Sequence, residues 1–172
     1  MSGWIFDALS PGDRVEIAGP HGGCFYLPGR EDQNLLLIGT GTGLSPLIGV
    51  VRDALHSGHR GEIHLFHGSR SADGLYLQDE LHALSDTHFG FHYHPCVSGG
   101  PTPAGHLSGR ADKVAFERFP ALAEWRLFLC GLPAMVHAAR RTAYLDGASL
   151  ADIYADAFEL SAPDEGKDTA VA

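Results

Sequence analysis

Short apolar runs alternate with longer amphipathic stretches along most of this chain. The run NLLLIG (34–39) contains no polar alternation, which is typical of a strand buried on both faces of a parallel sheet. Further strands are predicted at 62–68, 89–97, 126–131 and 152–158. Helices are predicted between them at 45–56, 75–85, 110–118 and 133–147. This alternation predicts an α/β fold with a five-stranded, parallel, doubly wound sheet.

Two shorter strands are predicted ahead of this sheet. Their sequences are DRVEIAG (13–19) and CFYLP (24–28), and they flank a glycine-containing turn, which predicts a β-hairpin near the N-terminus. At the other end, the sequence from Ser161 onwards is small and acidic, and we expect it to be disordered.

Composition and charge exclude several classes of protein. The 172 residues fit one ordinary domain, and 12 Lys and Arg against 21 Asp and Glu give a net charge of −9. Such an acidic chain lacks the basic surface that nucleic-acid binding requires. No apolar run approaches the roughly 20 residues of a membrane span, and the first residues do not resemble a secretory signal. We therefore expect no nucleic-acid partner, no membrane span and a cytoplasmic location.

Cysteines and histidines were considered as metal ligands. The three cysteines are far apart and form no CxxC pair, which excludes a zinc ribbon or an iron–sulfur cluster built from this chain alone and favours a reducing compartment. Among eleven histidines, His92 and His94 share one face of a predicted strand. His64 and His67 point to opposite faces of another strand. We predict no metal site, because no histidine pairs with a carboxylate at helical spacing.

Distinctive motifs follow the predicted strands, at the edge of a parallel sheet where ligands bind. They are GTGTGLSP, HGSR, VSGG and CGLPAM, in strand order. In the first, Gly39 and Gly41 match the start of a dinucleotide fingerprint, but Leu44 occupies the third glycine position. The following helix, with Ser45 as its predicted cap and Pro46 at its first position, would present free N–H groups to an anion. Local sequence leaves two interpretations open: a phosphate site, or a tight turn without a ligand.

Four segments together resemble a known family. GTGTGLSPL, HGSRSADGLYLQDEL, CGLPAMV and IYADAF, in this order and spacing, are similar to the nicotinamide-binding half of the ferredoxin–NADP reductase family. The closest resemblance is to reductase components of bacterial oxygenases and related flavin reductases. The segment before them looks like the last part of the family's flavin-binding barrel. The resemblance implies a barrel remnant at 1–30, an NAD(P)-binding domain at 31–160 and a disordered tail at 161–172.

The resemblance implies how the first motif would hold NAD(P)H. The glycine-rich loop, here Gly41, Thr42 and Gly43, would hold the pyrophosphate and part of the nicotinamide ribose. Pro46 would fix the start of the helix that follows this loop.

The same resemblance bears on the choice between NADH and NADPH. Ser69 and Arg70, after the second strand, would contact the adenosine side of the cofactor. Family members that prefer NADP hold its 2′-phosphate with a Ser-Arg pair after the third strand. This chain has Ser98 followed by two glycines, with no lysine or tyrosine soon after. Because a 2′-phosphate needs charge-assisted hydrogen bonds, NADH is the expected cofactor.

Two residues would lie near the reacting rings. In the family, the Cys-Gly pair that corresponds to Cys130 and Gly131 lies close to the nicotinamide, and the small residues leave room for a flat ring. The aromatic residue corresponding to Phe158 covers the flavin or gates the nicotinamide. Met135 restores the family pattern after Leu132, although core packing is its more ordinary role. Without the resemblance, Cys130 and Phe158 would be interpreted as core residues.

These inferences predict an NAD(P)H-binding module of a flavin-dependent oxidoreductase. Hydride would pass from NADH to FAD, and electrons would then leave singly to an iron–sulfur or haem partner such as a ferredoxin or an oxygenase component. The family's upstream flavin motif is missing from this sequence, so we expect either a fragment or a protein that uses a separate flavin-binding chain. The exposed edge would then pair with that flavin-binding chain or with a second copy of this chain. The alternative function is a non-catalytic nucleotide-binding or scaffold subunit that docks on a separate flavoprotein.

Overall fold

A single parallel sheet of six strands organises the protein, whose computed structural model describes residues 2–19 and 22–159. The strand order is β4-β3-β2-β1-β5-β6, and every neighbouring pair is parallel. The strands are β1 (Leu35–Thr40), β2 (Ile63–Ser69), β3 (Phe91–Val97), β4 (Leu107–Ser108), β5 (Arg126–Gly131) and β6 (Ile153–Ala157). The predicted fold class is confirmed. The additional strand, β4, has only two residues and lies beyond the glycine- and proline-rich loop, so no hydrophobic run marks it in the sequence.

Helices cover both faces of the sheet. The helix α1 (Ser2–Ala8) is not one of them, since its residues 3–8 are exposed. The covering helices are α2 (Leu44–His56), α3 (Gln78–Thr87), α4 (Ala111–Arg118) and α5 (Pro133–Leu145). Leu35 and Leu37 of β1 pack in one apolar cluster with α2 and α3, whereas Leu36 and Ile38 pack in a second cluster with α4 and α5. Successive side chains of a strand point to opposite faces, which explains why this strand is apolar at every position. None of the helices within the described residues is long and apolar enough to cross a membrane.

The helix after the glycine-rich turn begins earlier than predicted. A single turn of 3-10 helix, Gly41–Gly43, leads directly into α2, so Gly43 is the capping residue and Leu44 the first helical one. The prediction of Ser45 as the cap and Pro46 at the first position is therefore wrong. Pro46 occupies the third position, where its missing N–H still costs little because the residue four positions earlier, Thr42, lies outside the α-helix.

The predicted N-terminal hairpin is also wrong for the described residues. Residues 9–19 and 22–34 contain no strand, because the segment has no neighbouring strand to receive its backbone hydrogen bonds. Residues 22–30 instead pack against the sheet: Tyr26 is buried in the cluster beneath α2, and Arg126 donates from Nη1 to the Leu27 carbonyl at 2.8 Å. Arg30 forms an ion pair with Asp152. The predicted tail, 161–172, lies outside the described residues.

Candidate functional site

An open cleft of about 610 Å³ lies along the carboxyl edge of the sheet. Its walls come from the ends of four strands, the start of α4 and α5, and the residue that follows β6. The lining residues are Thr40, Gly41, Thr42, Gly68, Ser69, Arg70, Ser98, Arg110, Ala111, Asp112, Gly131, Leu132, Met135 and Phe158. The cleft includes the ends of β1 and β5, and the order of the strands along the chain reverses between these two neighbours. Ligands of doubly wound sheets bind at this point.

The ends of β1 and β5 are held in direct contact across this point. Gly131 adopts φ +120°, and a Cβ there would lie 2.6 Å from the Thr40 carbonyl oxygen. The N–H of Leu132 donates to Thr40 Oγ1 at 3.2 Å. A residue with a side chain at position 131 would therefore be strained and would clash, so the glycine permits the close approach that forms the floor of the cleft.

Gly43 serves packing rather than cleft lining. Its φ of −61° suits any residue, but a Cβ would lie 2.2 Å from the carbonyl oxygen of Cys130. The loop after β1 thus rests directly on the backbone of β5. Gly41 and Thr42, the two residues before it, are exposed to the cleft.

Two arginines reach the cleft, and their environments differ. Arg110 forms a two-pronged pair with Asp112, with Nε and Nη2 at 3.0 and 3.2 Å from the two carboxylate oxygens, and Asp112 is buried. Among residues 2–19 and 22–159, no acidic side chain forms an ion pair with Arg70. Arg70 is therefore the uncompensated cation of the cleft, which suits it to an anionic ligand.

The loop after β3 is attached to the end of β2. The hydroxyl and the N–H of Ser98 both donate to the Ser69 carbonyl, at 3.2 and 3.0 Å. The N–H of Gly99 donates to the Arg70 carbonyl at 2.8 Å. These bonds fix the backbone from which the Arg70 side chain extends into the cleft.

The structure brings most of the sequence-predicted site residues together. Those that line the cleft are Gly41, Thr42, Ser69, Arg70, Ser98, Gly131, Met135 and Phe158. Gly43, Pro46 and Cys130 lie behind its walls. Phe158 is held by its N–H, which donates to the Gly131 carbonyl at 2.9 Å. Met135 is both a lining residue and a member of the apolar core.

Sequence reasoning missed several residues of the cleft. Thr40 and Gly68 end their strands within motifs that were already recognised, so their positions were available from the pattern. Arg110 and Asp112 begin the helix after β4, and they were missed because that short strand was not predicted.

Cys130 contacts a cysteine that no motif singled out. Its side chain is fully buried on the α2 side of the sheet, and its Sγ lies 3.2 Å from Sγ of Cys24. The contact with the Cys24 thiol and the burial of the side chain raise the pKa of Cys130. Cys130 is therefore a neutral thiol that supports the wall of the cleft from behind.

A ladder of histidines lies at the opposite edge of the sheet. The ligand atoms of Glu62, His64 and His92 lie within 4.8 Å of one another, and Nε2 of His94 is 3.1 Å from Nδ1 of His64. The sequence analysis missed Glu62 because the cluster depends on the register that pairs His64 with His92.

The hydrogen bonds of this ladder favour a metal-free arrangement. Burial is the main cause that lowers the pKa of both His64 and His94 to about 4, so both are neutral at pH 7. Arg118 can only donate, and its Nη1 is 3.3 Å from Nδ1 of His94, so His94 carries its proton on Nε2 and donates to Nδ1 of His64. His64 then holds its proton on Nε2 and has no free lone pair for a metal ion.

His67 gives the protein a pH-dependent stability that can be measured. It is fully buried, and burial lowers its pKa from 6.5 to about 4. Between these pH values the unfolded chain binds a proton that the folded chain does not, so the free energy of unfolding falls as the pH is lowered. We expect His67 to account for a loss of about 3 kcal/mol between pH 7 and pH 4. Urea unfolding at several pH values measures this loss.

Two variants test the origin of that pH dependence. His67→Gln removes one titrating group and should reduce the loss of unfolding free energy by about 3 kcal/mol, while His64 and His94 keep their own contributions. Tyr93→Phe removes only the hydroxyl, which lies 3.1 Å from Nδ1 of His67, and should keep the steep profile because burial is the cause. An equally steep profile in His67→Gln would show that other groups carry the effect.

The sheet order and the cleft at its switch point define a doubly wound nucleotide-binding domain. The chain belongs to the oxidoreductase NAD-binding domain family, whose profile matches residues 37–141. The resemblance to ferredoxin–NADP reductases found in the sequence is thereby confirmed.

Particular relatives agree with this assignment. The chain is 39% identical over 158 residues to the ferredoxin–NAD(P)(+) reductase component of the naphthalene 1,2-dioxygenase/salicylate 5-hydroxylase systems of Ralstonia sp., covering 92% of this chain and 48% of the relative. It is 41% identical over 138 residues to the reductase subunit of an aromatic O-demethylase of Amycolatopsis sp., covering 79% and 41%. The crystal structure of the Amycolatopsis cytochrome P450 reductase GcoB superposes with a TM-score of 0.79 at 36% identity, covering 89% of this chain and 46% of that one. The chain thus spans less than half the length of these relatives.

Proposed function

We propose that this chain is the NAD(P)H-binding part of a flavin-dependent reductase that supplies electrons to a ferredoxin or an oxygenase component. The observation that carries the proposal is the cleft at the switch point, which gathers motifs from four strand ends in a chain of the NAD-binding family. The reductase names of its relatives agree with it.

The geometry of the cleft supports one direction for the bound dinucleotide. The pyrophosphate would lie at Gly41 and Thr42, beside the contact between β1 and β5. The adenosine half would extend towards Ser69 and Arg70. The nicotinamide would then reach Gly131, which has no side chain to obstruct a flat ring.

NADH is the better fit to the charges of this cleft. A 2′-phosphate carries two negative charges and is usually held by more than one cation. Arg70 is free to bind it, but Arg110 is already paired with the buried Asp112. One free cation beside the adenosine half therefore supports NADH, which carries no 2′-phosphate, over NADPH.

The flavin would lie on the N-terminal side of the cleft. Large apolar side chains are exposed along the first 27 residues: Trp4, Ile5, Phe6, Val15, Ile17, Phe25 and Leu27. So many exposed apolar side chains within one segment fit contact with a flavin-binding half of the kind that would account for the remaining length of the relatives. We assign residues 1–30 to the junction with that half and residues 31–160 to the NAD(P)-binding domain.

Catalysis in such a site consists of positioning. FAD, when bound, accepts a hydride and releases its electrons one at a time. The residues of this chain would hold the nicotinamide in the plane that Gly131 leaves open, and Phe158, which is 36% exposed beside it, would shield that ring from water or move aside to admit it. No side chain needs to gain or lose a proton, so holding the two rings in contact is the contribution of the protein.

Calorimetric titration of this chain with NADH and with AMP tests the binding part of the proposal. We expect NADH to bind and AMP to compete for the adenosine side.

The reductase part is tested by NADH-dependent ferricyanide reduction in the FAD-containing full-length protein, with Cys130→Ala as the comparison. Normal FAD binding without NADH oxidation would contradict the reductase and favour a scaffold subunit. A chain that binds neither NADH nor AMP would contradict both functions.

A further inference from the structure

Two cysteines separated by 106 residues meet behind the cleft. Sγ of Cys24 and Sγ of Cys130 are 3.2 Å apart. Cys24 is half-buried and Cys130 is fully buried. A disulfide has an S–S distance of about 2.0 Å, so a shift of about 1 Å is enough to bring the two sulfurs into bonding distance.

The two thiols are chemically unequal. The hydrogen bond between the two thiols lowers the pKa of Cys24, although burial and Asp156 oppose it. The same contact and burial raise the pKa of Cys130. Cys24 is also the thiol that solvent can reach. It is therefore the nucleophile of the pair, and Cys130 is the resolving thiol.

We propose that Cys24 and Cys130 form a reversible disulfide when the protein meets hydrogen peroxide. The Cys24 thiol loses its proton, and the thiolate attacks one oxygen of the peroxide. The O–O bond breaks, and the displaced hydroxide takes up that proton and leaves as water, which gives a sulfenic acid at Cys24. The sulfur of Cys130 then attacks the Cys24 sulfur, the S–O bond breaks, and the Cys130 proton leaves with the hydroxide as a second water. Two thiols lose two electrons and two protons, and one peroxide becomes two waters. A dithiol reductant reverses the bond.

The position of the disulfide links it to the cleft. The Cys130 carbonyl is the atom on which Gly43 rests, and the next residue, Gly131, forms the floor of the cleft. A shift of about 1 Å at Cys130, needed for an S–S bond of about 2.0 Å, would disturb both contacts. We therefore expect the oxidised protein to bind NADH several-fold more weakly, an effect that rests on the proposed function.

Peptide mapping tests the bond directly. Trypsin separates the three cysteines, because Cys24 lies in peptide 15–30, Cys96 in peptide 71–110 and Cys130 in peptide 127–140. The protein is treated with peroxide at low concentration, unfolded, alkylated and digested without reductant. We expect peptides 15–30 and 127–140 to be joined and Cys96 to be alkylated. Reductant should restore three alkylated cysteines.

Matched serine variants make the test specific. Cys24→Ser and Cys130→Ser should each abolish the joined peptide, whereas Cys96→Ser should keep it because Cys96 is buried but distant from the pair. Circular dichroism checks that each variant is folded. Three alkylated thiols after peroxide treatment, or a link that includes Cys96, would overturn the proposal.

NADH affinity, measured before and after oxidation, separates the proposals from one another. A joined peptide in a chain that never binds NADH would leave the disulfide standing and contradict the proposed function. NADH binding without a joined peptide would do the reverse. A joined peptide with equal NADH affinity in both states would overturn the link between the bond and the cleft.

Discussion

Gly43→Ala should lower the free energy of unfolding by about 3 kcal/mol and abolish measurable NADH binding. The added Cβ would lie 2.2 Å from the Cys130 carbonyl oxygen and 2.5 Å from its carbon. Both are backbone atoms, so no side-chain rotation relieves the contact and the loop must move away from β5. Because this loop and Gly131 form adjacent parts of the cleft, the displacement would disrupt the pyrophosphate site. Urea unfolding and NADH titration measure the two effects.

Gly49→Ala is the matched control for this substitution. Gly49 lies within α2 and is exposed, and a Cβ there meets no atom within 4 Å. Alanine should stabilise the helix by up to about 1 kcal/mol and leave NADH binding unchanged. A Gly43→Ala protein as stable as Gly49→Ala would show that the loop does not rest on β5 in solution.

Arg70→Gln should weaken NADH binding by about 10- to 100-fold, the value of a charge-assisted hydrogen bond to the adenosine half of the cofactor. Arg70 is the one arginine of the cleft lining without an acidic partner among the described residues, and its backbone is fixed by Ser98 and Gly99. Glutamine keeps a hydrogen-bond donor but loses the charge. Calorimetric titration with NADH, and separately with AMP, measures the loss and shows whether it lies on the adenosine side.

The control for Arg70→Gln removes the same charge at a remote place. Arg60 is exposed, pairs with Asp32 and lies before β2, at the opposite edge of the sheet. Arg60→Gln should leave NADH affinity unchanged. Equal losses in the two variants would point to long-range attraction by net charge, and an unchanged Arg70→Gln would remove Arg70 from the site.

The strands were predictable from the sequence because burial on both faces requires apolar residues at successive positions. Leu35 to Ile38 are apolar at every position since both faces of β1 are covered, and the turn residues that follow each strand mark the edge where the cleft forms. Features that depend on neighbours were harder to predict. The hairpin failed because the alternating pattern of residues 13–19 and 24–28 says nothing about whether a partner strand is present.

Parts of the site depend on contacts between distant segments. Arg110 enters the cleft only because β4, a strand of two residues, turns the chain back towards β2. Cys24 meets Cys130 across 106 residues, and local periodicity carries no information about that distance. The glycine-rich turn shows both cases: its place at the cleft was predictable from position, but the steric role of Gly43 required the β5 backbone.

The packing of residues 22–30 has a practical consequence for the design of shorter fragments. Cys24 meets the carboxyl end of β5, whereas Leu27 accepts a hydrogen bond from Arg126 at the amino end of β5, so this stretch runs along the length of that strand. An expression fragment that starts at residue 31 would leave an empty space where Tyr26 packs and would leave the buried Arg126 without its Leu27 acceptor. A fragment that starts ahead of residue 22 keeps both, so protease trimming from the N-terminus should stall before it reaches this stretch.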